Sequence, residues 1–166
     1  MVDERTFTPW AAPGWESWDA YSPEVGFCEF VATMQRMTAP SVVLETGVGV
    51  GRVTGFLNLD ACTYLGFEHD PRFRIPPADP DRPGPDAEDM GRADLVILDS
   101  DPSQRLDEIA MWAECGKSGS VCVVHDAGNG HGVGYVHHQV RQAIEASRII
   151  GVYLSNPRGG WVAQHP

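Results

Sequence analysis

The chain has 166 residues, of which 42% are hydrophobic, and its formal net charge is −11 at pH 7. This length and apolar content suit one compact domain over residues 1–166, with a core large enough to fold alone. The negative charge repels phosphate backbones and anionic lipids, so nucleic acids and membranes are disfavoured as partners. No apolar run approaches the roughly 18 residues of a membrane span, and no signal-peptide pattern is present. We therefore expect a cytoplasmic protein whose partner is a small molecule.

The four cysteines show neither CxxC spacing nor the setting of a small secreted scaffold; they are Cys28, Cys62, Cys115 and Cys122. We expect them to be reduced thiols that mostly fill the core. The sequence leaves the oligomeric state open, with a homodimer as one option because such short domains often pair.

An aromatic leader over residues 1–22 precedes the first predicted helix; its large aromatic residues are Trp10, Trp15, Trp18 and Tyr21. Such side chains either pin a leader onto the core or form a lid over an acceptor, and both options stay open. Ser22 is expected to cap the first helix, with Pro23 at its first position.

Apolar β-branched runs alternate along the chain with segments of helical periodicity. The runs predict buried strands at 42–46, 62–67, 94–98 and 120–124, and the periodicity predicts helices at 23–37, 51–59, 103–115 and 135–146. This alternation is typical of a parallel α/β sheet. In the third helix, Ser103 is expected to be the N-cap and Gly116 to end the helix. The last two runs flank the turn SNPRGG, which predicts an antiparallel hairpin over 148–164.

The segment 70–92 interrupts this alternation, because it carries six prolines where an α/β unit would place a helix and another strand. We predict a proline-rich loop. Its acidic residues either contact a ligand or form a solvated surface; they are Asp79, Asp81, Asp86, Glu88 and Asp89.

A glycine-rich stretch, ETGVGVG, directly follows the first predicted strand and precedes a predicted helix. This context places backbone N–H groups and the positive end of a helix dipole at the carboxyl edge of the sheet, where a carboxylate or phosphate can bind. A dinucleotide fingerprint would need a third glycine where Arg52 stands, and the Gly-Lys-Ser/Thr of a Walker A loop is absent. The spacing is instead GxGxG, with an acid two residues ahead.

These residues resemble the first motif of the class I S-adenosylmethionine-dependent methyltransferases, which is an acid followed by GxGxG after the first strand. The resemblance assigns cofactor binding to Glu45, Gly47, Gly49 and Gly51. The glycines would admit the amino-acid end of S-adenosylmethionine to the backbone amides, and Glu45 would help to anchor its ammonium group. Glu68 ends the second strand, in TYLGFEHDP, where the family binds both ribose hydroxyls. Asp70 is the fallback for that role.

Two later strands, in ADLVILDSDPS and GSVCVVHDAGN, also end in acids, and these strand ends are expected to converge beside the glycine loop. They resemble a small-molecule O-methyltransferase branch of the family, and the resemblance covers about residues 23–164. It implies a Rossmann-like doubly wound, mainly parallel sheet with a C-terminal antiparallel hairpin, in which the third strand is reduced or absent. It also implies methyl transfer to a hydroxyl of a sugar or secondary metabolite, with Asp99 in the cofactor pocket.

Deprotonation of the acceptor hydroxyl has two predicted routes. In the metal route, Asp99 and Asp126 hold a divalent ion such as Mg²⁺, with His125 or Asn129 completing the ligand set. Related enzymes usually have two consecutive acids where this chain has His125 and Asp126. In the base route, His131 accepts the proton, and Asp99 and Asp126 remain part of the catalytic site.

Two further histidines, His137 and His138, start the following helix, where at most one of them can face the site. The two strand-end acids are expected to approach within about 5 Å, where a cation or the imidazolium of His125 or His131 must relieve their repulsion. The alternative function, suggested by the short 70–92 segment, is a trimmed and catalytically silent module that binds a cofactor weakly or serves as an interaction partner.

Overall fold

The fold is described from a computed structural model that covers residues 23–74, 76–128, 135–155 and 158–166, with the backbone alone for residues 135 and 136. The aromatic leader, Asn129 and His131 lie outside these residues. The described helices and strands are α1 (Val25–Thr38), β1 (Val42–Thr46), β2 (Thr63–Phe67), α2 (Ala87–Arg92), β3 (Leu95–Leu98), α3 (Pro102–Cys115), β4 (Val121–His125), α4 (Tyr135–Ser147), β5 (Gly151–Leu154) and β6 (Gly160–Gln164).

The six strands form one sheet in the order β2-β1-β3-β4-β6-β5. The strands β2, β1, β3 and β4 run parallel to their neighbours. The strand β6 pairs antiparallel with both β4 and β5. The predicted mainly parallel sheet with a C-terminal antiparallel hairpin is therefore confirmed. Because the carboxyl ends of β1 to β4 meet at one edge, every acid that follows these strands is brought to that edge.

Alternating residues of the central strands build a core on each face of the sheet, as the two-residue period of a strand requires. On one face, α1 packs Phe27 and Val31 against a cluster that includes Val43 and Ile97. On the other face, Trp112 of α3 belongs to a cluster with Leu44, Leu98 and Trp161. Two apolar faces explain why the parallel strands are nearly continuous hydrophobic runs.

The helix predicted over 51–59 is wrong. The chain makes turns after the glycines and then forms two 3₁₀ helices, Thr54–Phe56 and Leu59–Ala61. Gly51 has a φ of 79°, which is in the left-handed region and cannot begin a right-handed helix. A second glycine, Gly55, further weakens any helix here.

The segment 70–92 is not entirely a loop, because its last residues form α2. Asp86 and Asp89 make a capping box: the Asp89 amide donates to Asp86 Oδ1 at 3.0 Å and the Asp86 amide donates to Asp89 Oδ2 at 3.2 Å. The third strand is reduced to one parallel bridge between Gly66 and Ala78. The Asp79 amide donates to the Gly66 carbonyl beside this bridge at 2.8 Å.

The start of α3 differs from the prediction, because the N-cap is Asp101 and not Ser103. Asp101 accepts a hydrogen bond from the Ser103 amide at 3.0 Å, and Pro102 is the first helical residue. The predicted end of the helix before Gly116 is confirmed. None of the described helices is long and apolar enough to cross a membrane.

Candidate active site

A cavity of about 450 Å³ lies at the carboxyl edge of β1, β2 and β3. Each of these strands contributes to its walls, together with the segment 70–92 and the first two turns of α3. The lining includes Gly47, Glu68, Asp70, Pro71, Pro83, Asp101, Gln104 and Glu108. The resemblance predicted a cofactor site at this edge of the sheet.

Gly47 follows β1 and allows that strand to approach the end of β3. Its φ of 71° lies in the left-handed region, and a Cβ atom there would overlap the backbone of Asp99 and Ser100. Only glycine satisfies both conditions. The first glycine of the motif is therefore required by the closeness of the two strand ends.

Four amides of the glycine loop, those of Gly47, Val48, Gly49 and Gly51, donate hydrogen bonds within the protein. The amides of Gly47 and Val48 donate to the Phe67 carbonyl at 2.9 and 3.3 Å, and the Gly51 amide donates to the Val48 carbonyl at 2.8 Å. These bonds tie the loop to the end of β2. These hydrogen bonds therefore fix the position of the loop against β2.

Glu68 connects the glycine loop to the end of β2 and lies in the cavity wall. Its Oε2 accepts from the Gly49 amide at 2.7 Å and its Oε1 accepts from the Asp70 amide at 2.7 Å. Asp70 also lines the cavity, but its carboxylate is bonded to the exposed Arg72. Glu68 is thus the more firmly oriented of the two predicted ribose ligands.

Glu45 faces away from the cavity and is almost fully buried. Its Oε2 accepts hydrogen bonds from the hydroxyls of Tyr64 at 2.7 Å and Thr54 at 2.9 Å. Burial raises the pKa of Glu45 to about 7, with a smaller contribution from Asp99 and Glu68, and the two hydroxyls only partly oppose this rise. This carboxyl is part of the sheet interior behind the glycine loop.

Glu108 was not predicted as a site residue, because its position in the sequence indicates only an acid near the start of a helix. Its Oε2 accepts from Thr46 Oγ1 at 2.8 Å and from Ser100 Oγ at 2.6 Å, so it joins the ends of β1 and β3 at the cavity wall. Burial raises its pKa. Gln104 lies one helical turn earlier and lines the same cavity.

The five acids of the 70–92 segment that were candidate ligand contacts do not line the cavity; they are Asp79, Asp81, Asp86, Glu88 and Asp89. Asp86 and Asp89 cap α2, and Asp79 accepts a hydrogen bond from the Asp81 amide at 2.9 Å. The segment contributes Asp70, Pro71 and Pro83 to the cavity instead.

The predicted convergence of the β3 and β4 ends is confirmed. Asp99, His125 and Asp126 each bring one ligand atom to within 4.8 Å of the others. The register explains this closeness, because Leu98 pairs with Val124 and the next residues of the two strands therefore stand side by side.

Two arginines that sequence reasoning missed lie among these acids. Arg105 donates from Nη1 to Asp126 Oδ2 at 3.0 Å and from Nη2 to Asp99 Oδ1 at 3.2 Å. Arg158 reaches both oxygens of Asp126, with Nε 2.7 Å from Oδ1 and Nη2 2.9 Å from Oδ2. Burial alone would raise the pKa of Asp126, but the cationic charges of His125, Arg105 and Arg158 hold that pKa well below its usual range.

His125 is fully buried between two carboxylates. Its Nδ1 lies 2.8 Å from Asp99 Oδ1, and its Nε2 lies 2.8 Å from Oε2 of Glu24, the residue before α1. Burial would lower the pKa of His125, but the charges of Asp99 and Asp126 outweigh it and raise that pKa to about 9. In Glu24, burial is likewise outweighed by the bond to His125, and the pKa falls to about 2.

One of the two adjacent histidines at the start of α4 faces the strand ends, which stays within the expected limit of one. His137 is buried with its Nε2 3.5 Å from Asp126 Oδ1, whereas His138 is exposed. Burial lowers the pKa of His137, which favours its neutral imidazole.

No protein-family model and no curated protein sequence matches this chain. Solved structures do match its fold. A putative O-methyltransferase from Klebsiella pneumoniae is 19% identical with a TM-score of 0.67, covering 89% of this chain and 83% of that chain. The O-methyltransferase TomG from Streptomyces achromogenes, in complex with SAM, is 15% identical with a TM-score of 0.61, covering 88% and 82%. The O-methyltransferase from Bacillus cereus, in complex with SAH, is 11% identical with a TM-score of 0.63, covering 89% and 84%.

This chain has the O-methyltransferase fold. The likeness to these proteins extends over 88–89% of this chain. Within this O-methyltransferase fold, the cavity stands at the carboxyl edge of the parallel strands, which is where open α/β sheets bind their ligands.

Proposed function

We propose that the chain transfers a methyl group from S-adenosylmethionine to a hydroxyl of a small molecule. The observation that carries the proposal is the cavity of about 450 Å³ at the carboxyl edge, whose walls include Gly47 and Glu68. Both residues belong to the motifs that resemble those of the methyltransferases. Neighbours with this fold are in complex with SAM in TomG and with SAH in the Bacillus cereus protein.

The charge of the cavity supports a cationic ligand. Four of its lining residues are acidic, namely Glu68, Asp70, Asp101 and Glu108, and none of the lining residues that the structure describes is lysine or arginine. A phosphate-rich cofactor would be repelled by such walls. S-adenosylmethionine has a sulfonium and an ammonium against one carboxylate, so its net charge is positive and complements this cavity.

Glu68 has the geometry to bind a ribose. Each of its two oxygens accepts one backbone amide, and each carboxylate oxygen can accept a further hydrogen bond. The two amides fix the carboxylate, so a pair of hydroxyls meets acceptors that are already oriented. Gly47 belongs to the adjoining wall, whereas Gly49 and Gly51 are not among the described lining residues. Cofactor binding by Gly49 and Gly51, and ammonium binding by the buried Glu45, stay predictions.

When bound, S-adenosylmethionine supplies a methyl group on a positively charged sulfur. The acceptor oxygen forms the new C–O bond as the C–S bond breaks and its electron pair stays on sulfur, which leaves S-adenosylhomocysteine. The protein's tasks are to align the hydroxyl, exclude water and receive its proton. His131 stays the predicted proton acceptor. Among the described residues, the buried His137 lies with its Nε2 3.5 Å from Asp126 Oδ1. A sugar or secondary metabolite as the acceptor, and a homodimer, stay predictions.

Calorimetry with S-adenosylmethionine and S-adenosylhomocysteine tests cofactor binding. We expect both to bind, and transfer of a labelled methyl group to some members of a panel of sugar and phenolic hydroxyls. No heat of binding with either compound at about 1 mM would contradict the proposal. Tight binding without transfer to any acceptor would favour the alternative, a catalytically silent binding module.

A further inference from the structure

The carboxylates at the ends of β3 and β4 already have cationic partners within the chain. Both oxygens of Asp126 contact Arg158, and Oδ2 also contacts Arg105. Asp99 Oδ1 is shared by Arg105 and His125. The exposed fractions of these side chains are small, at 3% for Arg105, 5% for Asp126 and 13% for Arg158. Solvent therefore screens these contacts little.

The charges of this cluster balance. Its three acids are Glu24, Asp99 and Asp126, and its three basic residues are Arg105, His125 and Arg158. A divalent ion within the same few ångströms would face two guanidinium groups that stay protonated at every accessible pH. The negative charge that would attract such an ion is already compensated.

The donor set is also unsuited to a hard cation. Mg²⁺ and Ca²⁺ need oxygen lone pairs directed at one point. Oδ2 of Asp126 accepts hydrogen bonds from both arginines, and Oδ1, which has no hydrogen bond with the described residues, lies 2.7 Å from the cationic Arg158 Nε. Each ring nitrogen of His125 faces a carboxylate oxygen, and because carboxylates only accept hydrogen bonds, both nitrogens act as donors. His125 then has no lone pair for a metal.

The backbone holds both arginines in place. Arg105 lies on α3, and its Nη1 also donates to the His125 carbonyl at 3.0 Å. The Arg158 carbonyl accepts from the Gly128 amide at 3.0 Å, and the Arg158 amide donates to Glu24 Oε1 at 3.1 Å. The arginines are therefore built into the ends of the sheet.

We propose that Arg105 and Arg158 occupy the place that a divalent cation would take between Asp99 and Asp126, so that this site binds no metal. The claim that methyl transfer proceeds without a metal rests on the proposed function. The claim that the site binds no divalent ion is independent of that function, since it depends only on the charged cluster. The cluster also joins the start of α1, through Glu24, to the ends of β3 and β4.

The purified full chain is first treated with chelator to remove any bound metal, and the chelator is then removed. Mn²⁺ is added next, and its binding is measured by electron paramagnetic resonance. We expect no saturable binding by the wild type up to about 1 mM Mn²⁺, the weak end of protein Ca²⁺ sites. Arg158→Gln removes one cation and should create a saturable site, which Asp126→Asn in the same background should remove. Arg36→Gln, on the exposed side of α1, is the matched control and should behave as the wild type.

Saturable Mn²⁺ binding by the wild type that is lost in Asp126→Asn would overturn the proposal. A folded Arg158→Gln protein that binds no Mn²⁺ would overturn the assignment of Arg158 as the group that excludes the ion. If Arg158→Gln does not fold, the wild-type measurement still decides. Neither cofactor nor acceptor is needed, so failure here is distinguishable from failure of the proposed function. Where an acceptor is found, transfer should be unchanged by chelator.

Discussion

Replacing Glu45 by glutamine should stabilise the protein at about pH 8 far more than at about pH 5. Glu45 is buried behind the glycine loop, and its Oε2 accepts from Tyr64 and Thr54. A glutamine can keep an oxygen acceptor at this position and carries no charge. The substitution therefore isolates the cost of holding a charged carboxylate inside the sheet.

The magnitude follows from the rise of the Glu45 pKa from 4.5 to about 7, for which burial is the main cause. Below the pKa that Glu45 has in the unfolded chain, the folded and unfolded states both hold the proton, so Glu45 does not change the free energy of unfolding with pH. Between the two values only the unfolded state loses the proton, so folding stability falls as pH rises. At about 1.4 kcal/mol per pKa unit, the full loss is about 3 kcal/mol and is complete by about pH 8. At about pH 5 the loss of folding stability caused by Glu45 is only about 1 kcal/mol.

Urea unfolding, followed by the fluorescence of the buried Trp112 and Trp161, measures the free energy of unfolding at the two pH values. The advantage of Glu45→Gln over the wild type should grow by about 2 kcal/mol from pH 5 to pH 8. The matched control is Glu29→Gln on the exposed side of α1, which should show no such growth. An equal effect of Glu45→Gln at both pH values would refute the reasoning.

Gly47→Ala should destabilise the fold by more than about 1 kcal/mol, because the new Cβ overlaps the backbone of Asp99 at a positive φ. A melting temperature equal to that of the wild type would show that the strand ends can separate without cost. Glu68→Ala should weaken binding of S-adenosylhomocysteine by about 1.5–3 kcal/mol, measured by calorimetry, because the ribose loses charge-assisted hydrogen bonds. The exposed Glu88→Ala is its control, and unchanged affinity in Glu68→Ala would place the ribose elsewhere.

The sheet was predictable from the sequence because buried parallel strands need apolar residues on both faces, and those runs are visible at 42–46 and 94–98. The segment after Gly47 was not predictable. Its apolar residues have helical spacing, but Gly51 adopts a left-handed conformation in a loop whose Gly47 and Val48 amides are hydrogen-bonded to the Phe67 carbonyl. The helix α2 has six residues, too few for a periodic signal.

The candidate site was predictable where a residue's position at a strand end decides its location. Glu68, Asp99 and Asp126 follow strands, so the parallel topology alone brings them to one edge. Arg105 and Arg158 could not be found in this way. Their shared partner Asp126 lies 21 residues from Arg105 and 32 residues from Arg158 along the chain, and nothing in the local sequence indicates a buried guanidinium. Charge compensation in the interior is a property of the packed fold.

The position of β6 determines the order in which the sheet can be completed. β5 is made first, but in the described sheet it hydrogen-bonds only to β6, which also covers the open edge of β4. Until residues 160–164 emerge from the ribosome, a central strand offers its amides and carbonyls to any extended segment nearby. A nascent chain that stalls before residue 160 therefore leaves the edge of β4 open to pairing with strands of other chains.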